Sequence, residues 1–512
     1  MSKPLILGLS ASLRNARSSA GGHRLKDEVE ALESRDDLDR YLAERANEHL
    51  DQFVAAGRKE GLPFDEIYRN LQKTGDLKGL SNSEICLAAG LWGAISKGAA
   101  IDHIPLPDHF PANGEPKDLD KLKAALLRAD GIVLSTPVYF GDRGSLAQQL
   151  IEFIRADDEL REGLDGKLFA GLAVGAKRNG GQETTLIYAL MDMLNAGMLG
   201  VGNDSETTSQ YGGTAHAGDV GTAPKDKYGI DTCIGTGRRI ASVAVKLSAA
   251  RDAALSSALR ADYWILQDRD GTAASLAAKL APNDGKAVNA NQIDMLCDEI
   301  RPCIACDICP IHVGPDEEYR CIIKRKEDGL TKIHEQLLDA DVIVPVLYSP
   351  KDRKGLQSHY QQFMERTRYL RRGDYVFTDR LVAPLIFAEI GSNESLDIRV
   401  MTSMIRHHTV IARPMVAWIH DGKILNEAEI RADLDRLTRL GKVLAAGDLA
   451  TVRLELMETQ YQPVGYVLAS EKDKENKTMT AREKAVELRL ARRQDQAIKR
   501  LATTAAGVKT AS

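Results

Sequence analysis

The stretch Leu5-Ile6-Leu7-Gly8-Leu9-Ser10-Ala11-Ser12-Leu13-Arg14-Asn15-Ala16-Arg17-Ser18-Ser19 decides the fold. It opens as an apolar run of strand length and turns into a loop of hydroxyl and cationic side chains with no acid among them. Backbone N–H groups, serine hydroxyls and arginine in such a loop suit a bound phosphate. The strand sets the loop at the carboxyl edge of a sheet, where open α/β folds take their ligands. The glycine spacing is neither that of the dinucleotide fingerprint nor that of the P-loop, so both of those phosphate sites are disfavoured. A singly phosphorylated ligand suits the loop better. A plain strand-to-helix turn is the other reading.

Further strands are expected at 4–9, 100–104, 131–135, 168–174 and 198–202. They are short, apolar on both faces and separated by helical patterns, as in a parallel sheet covered on both sides. Residues 23–80 interrupt that rhythm with a charged helical pattern in which Leu38, Tyr41, Leu42, Ala46 and Leu50 recur at helical intervals. Ser81-Asn82-Ser83-Glu84 then offers a helix start ahead of the apolar run 85–95. The segment reads as a helical insertion after the phosphate loop: either an exposed decoration or oligomer contact, or a lid over the ligand. The glycine-rich run 212–221 reads as a loop, 230–247 as a closing helix and 248–260 as a short helical connection.

The pattern then starts again. Asp262-Tyr263-Trp264-Ile265-Leu266-Gln267 reads as a strand, and Ala340-Asp341-Val342-Ile343-Val344 echoes Ala129-Asp130-Gly131-Ile132-Val133. A repeat at about 210 residues is too long for a solenoid and indicates two tandem copies of one domain. The expected class is α/β, with two doubly wound parallel five-stranded sheets. Residues 1–250 would form one domain, with an insertion at about 20–80, and 261–450 the other. Residues 451–512 would be a charged helical tail.

The totals narrow the function classes. The chain has 512 residues, 43% hydrophobic, with a formal net charge of −5, which points to neither nucleic acid nor a membrane surface. No apolar run reaches membrane-spanning length, and four of the seven cysteines are bunched, unlike a secreted disulfide framework. A cytoplasmic protein is expected.

Two more loops follow strand ends in the first copy. Ser135-Thr136-Pro137-Val138-Tyr139-Phe140-Gly141-Asp142 carries an aromatic pair on a proline-stiffened turn, suited to a flat ring. Gly175-Ala176-Lys177-Arg178-Asn179-Gly180-Gly181-Gln182-Glu183 carries glycines that let backbone N–H groups approach a ring edge, with Arg178 and Asn179 as donors for a carbonyl oxygen. Phosphate grip, aromatic wall and donor-rich edge together describe a flavin mononucleotide (FMN) site. No Ser/His/Asp arrangement or carboxylate pair calls for a different chemistry, and His216, His312, His407 and His408 read as surface or core histidines.

Gly8 to Ser19, Thr136 to Gly141 and Arg178-Asn179-Gly180-Gly181-Gln182 resemble the NADPH-dependent FMN reductase family, which has a flavodoxin-like fold. The resemblance implies a phosphate held by Ser10, Ser12, Arg14, Ser18 and Ser19. It implies ring contacts from Pro137, Val138, Tyr139, Phe140 and Gly141, from Arg178, Asn179, Gly180, Gly181 and Gln182, and from Tyr211 and Gly212. The insertion departs from the family and leaves open whether Ser18 or Ser83 completes the phosphate contacts. The resemblance further implies NAD(P)H as co-substrate, a small-molecule or protein electron acceptor, and association into a homo-oligomer.

Copy two carries Cys303-Ile304-Ala305-Cys306-Asp307-Ile308-Cys309-Pro310, with Cys321 after eleven intervening residues. Four thiolates at this spacing suit a [4Fe–4S] cluster or zinc, and three close cysteines followed by proline lean toward iron–sulfur. The segment resembles the cluster segment of iron–sulfur flavoproteins, in which the cluster of one subunit sits near the flavin of its partner. The expectation is a fused pair: FMN in copy one, a cluster in copy two and electron transfer between them. An electron-transfer component serving a separate catalytic protein and a non-catalytic redox sensor are the alternatives. Copy two has poor flavin loops, because Asp268 and Asp270 in its first loop would repel a phosphate. Cys86, Cys233 and Cys297 read as ordinary thiols.

Overall fold

A computed structural model describes residues 3–13, 23–73, 79–112, 114–204, 209–251, 259–282, 288–306, 321–323, 326–338, 340–374 and 377–455. The chain divides into two compact units, Met1–Val245 and Lys246–Ser512.

The strands of the first unit are β1 (Leu5–Ser10), β2 (Ala100–Pro105), β3 (Gly131–Tyr139), β4 (Asp142–Arg143), β5 (Leu168–Gly175), β6 (Leu199–Gly200) and β7 (Gly213–His216). They run in the order β2-β1-β3-β5, all parallel, with β6 and β7 both pairing parallel to β5 and the short β4 antiparallel to β3. All eight residues of β5 are buried, as are the first six of β3, which is why both read as unbroken apolar runs. Because the chain leaves β1 toward β2 on one side and β3 on the other, a crevice opens at their carboxyl ends. The last place in the sheet is thus shared by two short strands. One of them, β7, lies inside the run expected to be a loop. Its Gly-Thr-Ala-His composition is turn-like, and pairing along Leu172 to Gly175 makes it a strand.

The insertion folds into α1 (His23–Glu30), α2 (Arg35–Phe53) and α3 (Phe64–Lys73), ahead of α4 (Asn82–Ser96). Ser34 and Asp37 form a capping box that starts α2, and α2 buries Leu38, Tyr41, Leu42, Ala46, His49 and Phe53 along one face. Phe53, Ala56, Ile67 and Leu71 pack with Val220 from the loop after β7, and Arg58 grips the Asp219 carboxylate at 2.6 and 2.7 Å. The insertion is therefore seated on the rest of the unit. The remaining helices are α5 (Leu119–Arg128), α6 (Ser145–Ala156), α7 (Asp158–Gly163), α8 (Gln182–Asn195) and α9 (Lys227–Arg251). The helix expected at 230–247 is longer at both ends, and residues 252–258 lie outside the described set.

The strands of the second unit are β8 (Leu259–Asp268), β9 (Val288–Asp294), β10 (Val342–Ser349), β11 (Gln357–Ser358), β12 (Leu381–Val382), β13 (Leu385–Glu389), β14 (Val410–Ile411), β15 (Met415–His420) and β16 (Lys423–Ile424). The principal order is β9-β8-β10-β13-β15, all parallel, with β16 closing the edge antiparallel. Its helices are α10 (Thr272–Leu280), α11 (Gly329–Leu337), α12 (Tyr360–Arg366), α13 (Arg368–Asp374), α14 (Leu396–Met404) and α15 (Glu427–Glu455). Trp264 is buried edge-on to Phe363 at 5.3 Å and tilted against Phe377 at 5.5 Å, contacts worth about 0.5–1.5 kcal/mol each beyond their buried area. The expected tail beyond residue 455 lies outside the described residues.

Candidate functional site

A cleft of about 570 Å³ opens at the carboxyl edge of the first unit's sheet. One end is lined by Ala11, Ser12 and Leu13 after β1, by Ser81, Asn82 and Ser83 at the start of α4, and by His49 of α2. Pro137, Val138 and Tyr139 at the end of β3, with Val174, Gly175 and Ala176 at the end of β5, line it as well.

The start of α4 is built as the sequence suggests. Ser81 caps it, its Oγ accepting from Glu84 N at 3.4 Å while Ser81 N donates to Glu84 Oε2 at 2.9 Å. That capping box leaves the N–H groups of Asn82 and Ser83 without intrahelical acceptors, as in any first helical turn, and the helix dipole favours an anion there. Ser135 Oγ donates to Ser83 O at 2.7 Å and ties the end of β3 to the same turn. Ser83 thus lines the same cleft as Ser12 despite the 70 residues between them in sequence.

Ser10 is fully buried, its Oγ 3.1 Å from His103 Nε2, and is not among the residues lining the cleft. Arg14, Ser18 and Ser19 lie outside the described residues. Phe140 is fully exposed with φ +52°, and neither it nor Gly141 is among the residues lining the cleft.

The 178–182 turn stands behind the lining. Arg178 pairs with Asp226, donates to Thr214 O at 3.0 Å and stacks over the Tyr228 ring at 5.3 Å. Burial works to raise the Asp226 pKa, but N–H donation from His216 and Gly229, together with Arg178, holds it below the usual carboxylate range. The Gln182 side chain closes the turn, donating to Lys177 O and Ala215 O and accepting from Gly180 N. Gly181 (φ +104°) meets Gly141 so closely that a Cβ there would fall 2.5 Å from the Gly141 Cα, so only glycine lets the two loops touch. Asn179 takes a left-handed conformation in the same turn. Tyr211 and Gly212 are buried, with Gly212 pressed on Gly171 O. Sequence reasoning passed over His49, Arg143, Ala217 and Val220, which also line the cleft. Arg143 is tied to Asp192 at 2.6 Å.

The corresponding edge of the second unit holds its own side chains. Asp268 accepts from Ala273 N at 2.8 Å and Ala274 N at 3.0 Å, so a carboxylate occupies the start of α10. Arg269 reaches Glu389 at 2.8 Å and the Tyr348 hydroxyl at 3.2 Å, while Glu389 also bonds Tyr348 and accepts from Lys351 N at 2.8 Å. Burial, then the hydrogen bond to Glu389, push the Tyr348 hydroxyl up to about 12. Glu394 accepts from Gln267 and Ser349 and pairs with Arg353.

Of the expected cluster ligands, Cys303, Cys306 and Cys321 are free and half-buried, and Cys309 lies outside the described residues. Among the described residues no group of three or more His, Cys, Asp or Glu is placed to hold a metal ion. The cysteine segment is nevertheless pinned at its neck. Arg366, buried with Asp328, donates to Arg301 O at 2.9 Å, while Asp328 accepts from Arg301 N at 3.1 Å. Thr331 Oγ1 donates to Ile323 O at 3.0 Å. Cys86 and Cys233 are buried neighbours; Cys297 is exposed. No described helix is long and apolar enough to cross a membrane.

The model of the NADPH-dependent FMN reductase family matches residues 87–209. Over 185 residues the chain is 31% identical to an NAD(P)H dehydrogenase (quinone) of Caulobacter vibrioides, a match covering 32% of this chain and 92% of that protein. It is 39% identical over 132 residues to an iron-sulfur flavoprotein of Methanocaldococcus jannaschii and 30% identical over 136 residues to one of Methanosarcina thermophila. These matches cover 25% and 26% of this chain and, in each case, 66% of the relative's length. The chain belongs, through its first unit, to the NADPH-dependent FMN reductase family and is an oxidoreductase.

Proposed function

We propose that the first unit binds one FMN and oxidises NAD(P)H, handing the electrons to a quinone or a protein acceptor. The observation that carries this reading is the cleft itself. Its volume lies in the range of small-molecule sites. Hydroxyls and a helix start line it together with a proline-aromatic turn and the apolar end of β5, which fits a ligand with a phosphate and an extended flat ring. Bound there, the flavin supplies hydride and electron chemistry. The chain's share is to hold the phosphate at Ser12 and the start of α4, to seat the ring against Pro137 to Tyr139, and to keep the 178–182 turn rigid. Flavin analysis of the purified protein, with NAD(P)H oxidation followed in the presence of a simple benzoquinone, tests it. One FMN per chain and quinone-dependent turnover are expected; a chain that binds no flavin ends the reading.

In this reading the second unit is an altered copy of the first, a view supported by its matching strand order. A second reading, that Cys303, Cys306, Cys309 and Cys321 take a [4Fe–4S] cluster, rests on their spacing and on the pinned neck of the segment. The described cysteines do not form a metal-binding group. Iron and acid-labile sulfide assayed on protein purified without oxygen decide it; their absence, with zinc or bare thiols in their place, ends it.

A further inference from the structure

The insertion is locked to the turn that enters α4. Leu80 N donates to Arg45 O at 3.0 Å, and a Cβ on Gly79 would fall 2.5 Å from both the N and the Cα of His49. Asn82, the first residue of α4, bonds the 219–223 loop through both amide atoms, accepting from Ala223 N at 3.2 Å and donating to Asp219 O at 2.9 Å. That same loop carries the partner of Arg58. Helix α2, the start of α4 and the loop after β7 therefore meet at one end of the cleft. There His49, 2% exposed, lines the cavity together with Ser12, Ser81, Asn82 and Ser83. Its ring is set edge-on to Phe53 at 5.0 Å and 70°, which fixes its plane.

We propose that His49 is a phosphate ligand of the flavin site, supplied by the insertion. This deepens the FMN reading and rests on it. An imidazole presents an N–H donor in either tautomer. Hydroxyls and the N–H groups of one helical turn leave room for such a donor on a phosphate that carries three acceptor oxygens. A hydrogen bond to a charged group accounts for about a ten- to hundredfold change in affinity. On this view the insertion acts on the cofactor's phosphate rather than on its ring. It makes the site prefer FMN to riboflavin and keeps the cofactor resident.

The test is a pair of titrations on the full-length apoprotein, one with FMN and one with riboflavin, followed by flavin fluorescence. The chains compared are wild type, His49→Ala and His49→Gln, with far-UV circular dichroism as the fold check. His49→Ala should weaken FMN about ten- to hundredfold and change riboflavin by less than about threefold. His49→Gln, which keeps an N–H donor, should recover part of the loss. Equal weakening of both flavins means that His49 only shapes the cleft, and overturns the proposal, as does unchanged FMN affinity in both variants. A wild-type chain that binds neither flavin fails earlier, at the FMN reading itself.

Discussion

At the end of β1 the chain turns with Ser12 into an open cleft, and the first turn of α4 lines that cleft. At the end of β8 it turns with Asp268, whose carboxylate already sits on the first N–H groups of α10. Around the first site the polar groups are hydroxyls and amides, together with His49 and Arg143. Around the second they are Arg269, Tyr348, Glu389, Arg353 and Glu394, bonded to one another. The same strand order thus supports two solutions to a helix start at a sheet edge. In the second the chain supplies the anion itself; in the first, on the FMN reading, a bound phosphate would supply it. The second unit keeps its polar groups for its own cohesion, and variants can separate the two uses.

The largest effect is expected where the second unit buries charge. Arg366 and Asp328 are both essentially inaccessible to solvent. Asp328→Asn leaves the guanidinium without its counter-charge and loosens Arg301 and Ile323 at the neck of the cysteine segment. A loss of about 3–5 kcal/mol is expected, read by urea unfolding, with faster hydrogen exchange in peptides around 296–306. Stability within about 0.5 kcal/mol of wild type would show that the pair is dispensable.

Next in size is the transplant. Ser12→Asp brings a carboxylate to the first cleft, as Asp268 does in the second. Repulsion of a phosphate at short range in a half-enclosed site should cost FMN at least about a hundredfold in affinity. Ser12 is buried as well as lining the cleft, so the apoprotein's melting temperature is followed alongside to separate a folding defect from lost binding. Unaltered FMN affinity would place the phosphate elsewhere.

The reverse exchange is smaller. Asp268→Ala removes the acceptor at the start of α10 and should cost about 1–2 kcal/mol, in the range for a lost N-cap. It should not create a second flavin site, because Arg269, Glu389 and Tyr348 still fill the edge. Flavin counted at two per chain, in this variant or in wild type, would break the comparison outright.

The strands and the three loops of the first unit were legible because their signals are local. Apolar runs mark β1, β3 and β5, and Ser81 and Glu84 mark a helix start within four residues. The acids at 268 and 270 announced a poor phosphate loop, but that Asp268 would cap α10 depends on where the strand ends. His49 was invisible. It stands in a charged helix with no neighbouring motif, and its place in the cleft depends on Gly79, thirty residues later. Arg178 looked like a ring donor, and its engagement by Asp226 depends on a contact 48 residues away. The strand β7 was missed because pairing, not composition, makes it one.

The smallest effect sets the two units apart by pH. Asp108, just beyond β2 in the first unit, is pushed up to about 6, first by burial and then by the Glu84 carboxylate, with Lys117 opposing. Its Oδ1 is buried without a hydrogen-bond partner. A carboxyl whose folded pKa lies above its unfolded value of 3.8 favours the fold below that value. The advantage is lost as pH rises toward and through about 6. Asp108→Asn should therefore stabilise the chain by about 1 kcal/mol at pH 7.5, after allowance for its partial exposure, and leave it unchanged near pH 4. In the second unit His407 moves the other way. Burial, with Arg371 nearby, pushes it down to about 3, so its unfolded form takes up a proton first as pH falls below 6.5 and stability declines. Melting curves of wild type and Asp108→Asn at pH 7.5 and pH 4 test the sign. Equal shifts at both values would mean that the Asp108 charge is not what the fold resists.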